Sequence, residues 1–141
     1  MNNKMKLEFL SLSINESLAR TTVGVFCLGL NPSLSELSDI KTAVSEAVTN
    51  CIVHGYPNEL GLISMECEIV KNILHINIVD QGVGIKDVNL ALEPFYTTRE
   101  EEERSGMGFT IMKSFMDDVK VSSEQGKGTK IYMCKKIKTD A

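Results

Sequence analysis

The chain alternates apolar and polar side chains most regularly in two neighbouring stretches. In GLISMECEIV, residues 61–70, Ile63, Met65, Cys67 and Ile69 share one face, with Ser64, Glu66 and Glu68 on the other. In ILHINIVD, residues 73–80, Leu74, Ile76 and Ile78 share a face. A period of two predicts half-buried strands, and Lys71-Asn72 between them predicts a two-residue hairpin turn. KLEFLSLSI, 6–14, alternates less strictly and is expected to form a first strand. Asn15 resembles an N-cap opening a helix through about Leu30, which Asn31-Pro32 ends. Ser33 or Ser35 is expected to cap a second helix running to about His54, stopped by Gly55-Tyr56-Pro57-Asn58. From Asp80 to about Gly106 the pattern is irregular, a length that usually marks a functional loop such as a lid. MGFTIMKSFM, 107–116, predicts a helix, and VKVSS (119–123) with KGTKIYMCKK (127–136) a closing antiparallel pair. Together these predict an α/β two-layer sandwich: a mixed, mainly antiparallel sheet with helices on one face.

The length of 141 residues suits one domain with a real core, and 43% hydrophobic with 24% charged residues is ordinary globular composition. The formal net charge is −4, which argues against nucleic acid as main partner, since phosphate binding needs a concentrated basic surface. The C-terminal basic cluster, Lys135, Lys136 and Lys138, is read as a solvated tail. Cys27, Cys51, Cys67 and Cys134 lack metal-ligand spacing and read as small core residues in a reducing compartment. No signal peptide is visible, and VGVFCLGL from Val23 is too short to span a bilayer, so a cytoplasmic, membrane-free protein is expected.

Four short patterns carry candidate chemistry. In SEAVTNCIVHGY, residues 45–56, Glu46, Asn50 and His54 recur at i, i+4 and i+8, along one helix face with neighbours about 6 Å apart. They offer a base, a neutral oxygen ligand and a switchable imidazole. Taken alone, the stripe is equally a helix's wet side. DQGVGIKD, 80–87, ends an apolar strand with an acid, then places Gly82 and Gly84 two apart. Ionised Asp80 is an acceptor only, suited to an exocyclic amine, and the glycines let backbone approach a flat ring or take positive φ. A plain turn accounts for this stretch equally well. SGMGF, 105–109, places Gly106 and Gly108 just before a helix, where backbone N–H groups and the helix terminus can face phosphate; a glycine-containing cap is the blander reading. GKGTK, 126–130, is expected to be at least a hairpin turn.

In order and spacing these motifs resemble those of the ATPases of gyrase, Hsp90, MutL and the histidine kinases. Glu46 and Asn50 resemble the N box, Asp80, Gly82 and Gly84 the D-x-G-x-G box, Gly106 and Gly108 the second glycine box, and Gly128-Thr129 the late Gly-Thr. Within that superfamily, EAVTNCIVHGYP and PFYTTR are similar to the anti-sigma factor serine kinases. The resemblance implies an ATP-binding fold and a homodimer that uses ATP with Mg²⁺. It implies sequestration of a sigma factor and phosphorylation of a serine on an anti-anti-sigma protein. Asp80 would bind the adenine amine with support from Thr129. Asn50 would hold Mg²⁺, Glu46 would orient or deprotonate the serine hydroxyl, and Gly106 and Gly108 would cradle phosphates. His54, inside the N box, joins the ATP-binding set. The alternative is an ATP-dependent sigma-binding module without kinase activity; an intact Glu46 favours the enzyme. His54 and His75 are the two histidines, neither on a separate phosphoacceptor module, which argues against histidine autophosphorylation.

Some residues stand outside these motifs. Arg20 follows Glu16 at i+4, which suggests a surface ion pair, with an interface anchor as the alternative. The acidic run Glu100 to Glu103 reads as a solvated tip, with Arg104 in reach of a phosphate. His75 reads as structural, and the methionines as core filler.

Overall fold

The computed structural model describes residues 2–93 and 108–138. Five strands form one sheet: β1 (Asn3–Leu10), β2 (Leu62–Val70), β3 (Ile73–Asp80), β4 (Asp118–Ser123) and β5 (Thr129–Lys136). Their order is β1-β2-β3-β5-β4, and all four pairings are antiparallel, so the mixed character expected of the sheet is not found among the described strands. The helices are α1 (Asn15–Phe26), α2 (Leu34–Asn50), α3 (Val88–Ala91) and α4 (Gly108–Phe115).

Period-two alternation puts successive rows of side chains on one sheet face. One row reads Leu7, Met65, Ile78, Ile131 and Val121, and the next Met5, Cys67, Ile76, Met133 and Val119. Against these rows pack Ala19 and Val23 of α1, Ile40, Val44, Ala47 and Val48 of α2, and Phe109 and Met112 of α4. The helical layer therefore lies on a single face, as expected. The opposite face is polar; Lys6 pairs there with Glu66 at 3.7 Å, and His75 Nδ1 meets the Tyr132 hydroxyl at 2.7 Å. His75 is structural in this sense, bridging β3 to β5.

Element ends differ instructively from the expected ones. β1 begins at Asn3 and stops at Leu10, because its register against β2 ends at Leu62. Asn15 is not a cap: it is the first helical residue, and its Nδ2 donates to the Leu10 carbonyl at 2.9 Å. Ser33 does cap α2. Its Oγ accepts from Glu36 N at 3.0 Å, and Glu36 returns a bond to Ser33 N at 2.9 Å, a complete capping box. Cys27–Leu30 tightens to a 3₁₀ turn, and Cys51–Gly55 widens to a π turn. Lys71 takes φ +58° in the hairpin. A short helical turn, α3, capped by Asp87, stands inside the stretch expected to be irregular.

In the basic C-terminal cluster Lys136 and Lys138 are solvent-exposed, as expected, whereas the Lys135 side chain is largely covered and the segment is tied to the body of the domain. Lys135 Nζ donates to the Phe115 carbonyl at 2.6 Å, satisfying an orphan carbonyl at the end of α4. Lys136 N donates to Asp117 Oδ2, and Lys138 N to Glu36 Oε2. Cys27, Cys51 and Cys67 are buried and all four cysteines are free thiols. No described helix is long and apolar enough to cross a membrane.

Candidate functional site

The inward rows of the sheet are apolar except at one end. There the row reads Phe9, Ile63, Asp80, Thr129 and Ser123. Strand alternation makes this row face the core side, so three polar side chains are delivered to a place where water is scarce. Asp80 is 1% exposed and Thr129 5%. Asp80 Oδ1 accepts from Gly82 N at 2.9 Å, whereas Asp80 Oδ2 is buried with no hydrogen-bond partner among the described residues. An orphaned carboxylate oxygen is costly to bury and invites a donor. Burial pushes the Asp80 carboxyl above its ordinary pKa, against the Gly82 N–H and, more weakly, the nearby Cys51 thiol and Thr129 backbone, which pull it down without closing a hydrogen bond on Oδ2. Below it, burial and then the Asp80 charge hold the Cys51 thiol well above its usual pKa.

Proton counting assigns Thr129 its role. Ser123 Oγ receives Ile85 N at 2.7 Å and donates to the Gly128 carbonyl at 2.9 Å. A hydroxyl has one proton, so in the 2.8 Å contact between Ser123 Oγ and Thr129 Oγ1 the donor is Thr129. Thr129 Oγ1 then keeps only acceptor capacity. Two acceptors, Asp80 Oδ2 and Thr129 Oγ1, thus stand on paired residues. Ser123 was not among the residues singled out from sequence. A serine at a strand end carries no pattern, and only the pairing reveals it.

The glycines make room for the chain's own backbone. A methyl group at Gly82 would lie 1.9 Å from the Gly55 carbonyl oxygen, which accepts from Val83 N at 3.0 Å. Gly84 has φ +75°, and a Cβ there would meet the Glu124 carbonyl at 2.1 Å. Gly126 N donates to Val83 O at 2.6 Å. The D-x-G-x-G segment is therefore a junction clasped by the π turn on one side and the β4–β5 turn on the other. The same clasp includes Tyr56, also missed from sequence as more than a helix stop. Its hydroxyl donates to Leu62 O and accepts from Gln81 N, both at 2.7 Å.

Glu46 and Asn50 lie one turn apart on α2 and are half-buried. His54 lies beyond the α-helical part, in the π turn, so the regular i+4 spacing from Glu46 and Asn50 does not extend to it. Among the described residues no cluster of three His, Cys, Asp or Glu could hold a metal. Gly108 opens α4; Gly106, with the acidic run Glu100 to Glu103 and Arg104, lies outside the described residues. Arg20 forms the expected pair with Glu16 at 3.1 Å. The pair continues into α2, because Glu16 also accepts from Ser45, the neighbour of Glu46. Burial opposes ionisation of Glu16, but Ser45, Arg20 and Ser17 together outweigh it and leave its pKa lowered.

A family model of the histidine kinase-like ATPase domain matches residues 15–135. The anti-sigma F factor of Caldanaerobacter subterraneus subsp. tengcongensis is 54% identical over 136 residues, 96% of this chain and 95% of that protein. The chain belongs to the anti-sigma F factor family of histidine kinase-like ATPase domains. The anti-sigma F factor of Clostridium acetobutylicum is also 54% identical, over 97% of this chain and 96% of that one. A solved structure of the RsbU and RsbW domains of Rv1364c from Mycobacterium tuberculosis shares the fold. Its TM-score is 0.71 at 13% identity, covering 99% of this chain and 34% of the longer one. An ATPase domain of this kind implies ATP binding.

Proposed function

We propose that this chain binds Mg-ATP at the polar end of its sheet, sequesters a sigma factor, and transfers the γ-phosphoryl group to a serine of an anti-anti-sigma protein. The observation that carries the nucleotide reading is the buried, unpartnered Asp80 Oδ2. An exocyclic amine has two N–H donors, and Asp80 with Thr129 supplies two acceptors on the same row. Adenine satisfies that pair; a ring carrying a carbonyl at the same position does not.

Phosphoryl transfer asks for positioning and charge neutralisation more than covalent work. Glu46 is the base that orients or takes the proton of the incoming serine hydroxyl. Nucleotide-bound Mg²⁺ takes few protein ligands, the rest being phosphate and water. A half-buried amide, Asn50, one turn from Glu46, fits that role. Bound Mg²⁺ would supply neutralisation of the phosphate charge. Gly108, at the start of α4, offers backbone N–H groups to phosphate, with Gly106 and His54 completing the set.

The relatives are named for the sigma factor they oppose, and this chain has surface for a protein partner. Leu10, Leu12, Ile14 and Leu18 are exposed in sequence around the β1–α1 turn. They support a homodimer or sigma contact there, with Arg20 close by on α1. A cytoplasmic setting follows from such a partner. The test is incubation with γ-labelled ATP, Mg²⁺ and extract of the same cells. One small protein labelled on serine is the expected result. ATP bound but left intact, with no labelled protein, replaces the kinase by the ATP-dependent sigma-binding module.

A further inference from the structure

We infer that Tyr56 is a positioning residue for base recognition, its hydroxyl fixing the turn that aims Asp80 at the adenine amine. This rests on the nucleotide reading above.

The ladder bonds of β3 end at Asp80. Gln81, the next residue, has no strand partner, and its N–H goes instead to the Tyr56 hydroxyl at 2.7 Å. That hydroxyl in turn donates to Leu62 O at 2.7 Å. One phenolic proton and one lone pair are thus both committed, and the oxygen is fixed between the start of β2 and the end of β3. The ring cannot shift easily. Tyr56 is 7% exposed, and a methyl group on Gly61 would stand 2.1 Å from it, so the aromatic edge lies directly on that backbone.

Gly55, the residue before, takes the second grip. Its carbonyl holds Val83 N at 3.0 Å, and a methyl group on it would stand 2.7 Å from Asp80 Oδ2. Two consecutive residues at the end of the π turn therefore hold the loop at two points, Gln81 and Val83. Between them Gly82 N engages Asp80 Oδ1 at 2.9 Å. The direction of the free oxygen, Oδ2, follows from where Gln81 and Gly82 are held. Removing the Tyr56 hydroxyl frees the first grip and leaves two part-buried backbone groups unsatisfied.

The experiment compares ATP with inosine triphosphate, which has a carbonyl where adenine has its amine. Dissociation constants are measured for the wild type, Tyr56→Phe and Ser11→Ala. Ser11 is the control, because its Oγ accepts from Gly61 N at 3.0 Å in the same junction without touching Gln81. Tyr56→Phe is expected to lower the preference for ATP over inosine triphosphate about three- to tenfold, the worth of roughly one hydrogen bond. Ser11→Ala is expected to reduce thermal stability and leave the preference unchanged. An unchanged preference in Tyr56→Phe, or an equal loss in Ser11→Ala, overturns the assignment of Tyr56 alone. A wild type with no preference overturns the nucleotide reading of Asp80 and this inference with it. Hydrogen exchange in the wild type needs no variant. The Gln81 amide is expected to be protected, and more so with ATP than with inosine triphosphate. A fast-exchanging Gln81 amide overturns the role.

Discussion

Asp80 and Thr129 are paired across the β3–β5 ladder, and both side chains are buried. Their placement turns an apolar sheet row into an acceptor pair at its end. The consequences are testable one by one.

Asp80→Asn separates affinity from stability. The amide presents N–H where the adenine amine needs an acceptor, so ATP affinity is expected to fall at least about tenfold, the scale of a hydrogen bond to a charged group. The unliganded protein is expected to be as stable as the wild type or more so, because the variant removes a buried charge. Isothermal titration and thermal melts measure the two. Equal affinity would reduce DQGVGIKD to a turn.

The pH dependence of binding has a definite sign. Burial raises the Asp80 pKa in the free protein, while an amine donor favours the ionised carboxylate. Affinity for ATP is expected to rise with pH through that raised value and level off above it. The stability of the unliganded protein runs the other way for this group. A carboxyl raised in the folded state contributes stability below its unfolded pKa and loses it as pH rises through the folded value. Glu16 and Glu36 are lowered, so their contribution is present above the unfolded pKa and lost as pH falls through the folded one. Parallel titrations of affinity and melting temperature, carried from neutral pH down below the ordinary carboxylate range, check both signs.

Glu46→Gln is expected to lower phosphotransfer at least about a hundredfold, as loss of a general base does, with nucleotide affinity largely kept. Single-turnover transfer to a purified protein substrate measures it. Full activity would remove Glu46 from the mechanism.

Glycine substitutions should rank by space, not by φ alone. Gly84 and Gly126 both have positive φ, but a Cβ at Gly84 meets the Glu124 carbonyl at 2.1 Å and one at Gly126 meets nothing within 4 Å. Gly126→Ala is expected to cost about 1–2 kcal/mol, from backbone strain. Gly84→Ala should cost clearly more, since backbone must move. Urea unfolding of both variants decides, and equal costs would refute the steric account.

Much of this was legible before the structure. The alternation in β2 and β3 fixed which residues face inward, because a period of two has only two phases. The Ser33-x-x-Glu36 capping box and the Lys71-Asn72 turn are local chemistry, and local chemistry is written in neighbouring residues. The first strand was read too far along because Leu12 and Ile14 are apolar yet exposed; apolarity there belongs to surface, not to the sheet. Asp80 and Thr129 were found through motif order. Ser123 and Tyr56 were not, since their roles arise from contacts 38 and 25 residues away in the chain. Gly82 and Gly84 were expected to let backbone approach a flat ring or to take positive φ, and Gly84 does have φ +75°. They admit the chain's own carbonyls, and no sequence window shows which backbone will pass by.

The strand order carries a consequence for how the molecule comes into being. β5 is the last described strand in sequence but sits inside the sheet, between β3 and β4. Among the described strands β4 has no other partner, and Asp80 meets Thr129 only when β5 is in place. During synthesis, residues 2–93 emerge before the Asp80–Thr129 end of the sheet can form. Placement of β5 both joins β4 to the sheet and brings Thr129 beside Asp80. A nascent chain stalled before residue 129 thus holds Asp80 without its ladder partner, and on the nucleotide reading proposed above it would lack half of the acceptor pair.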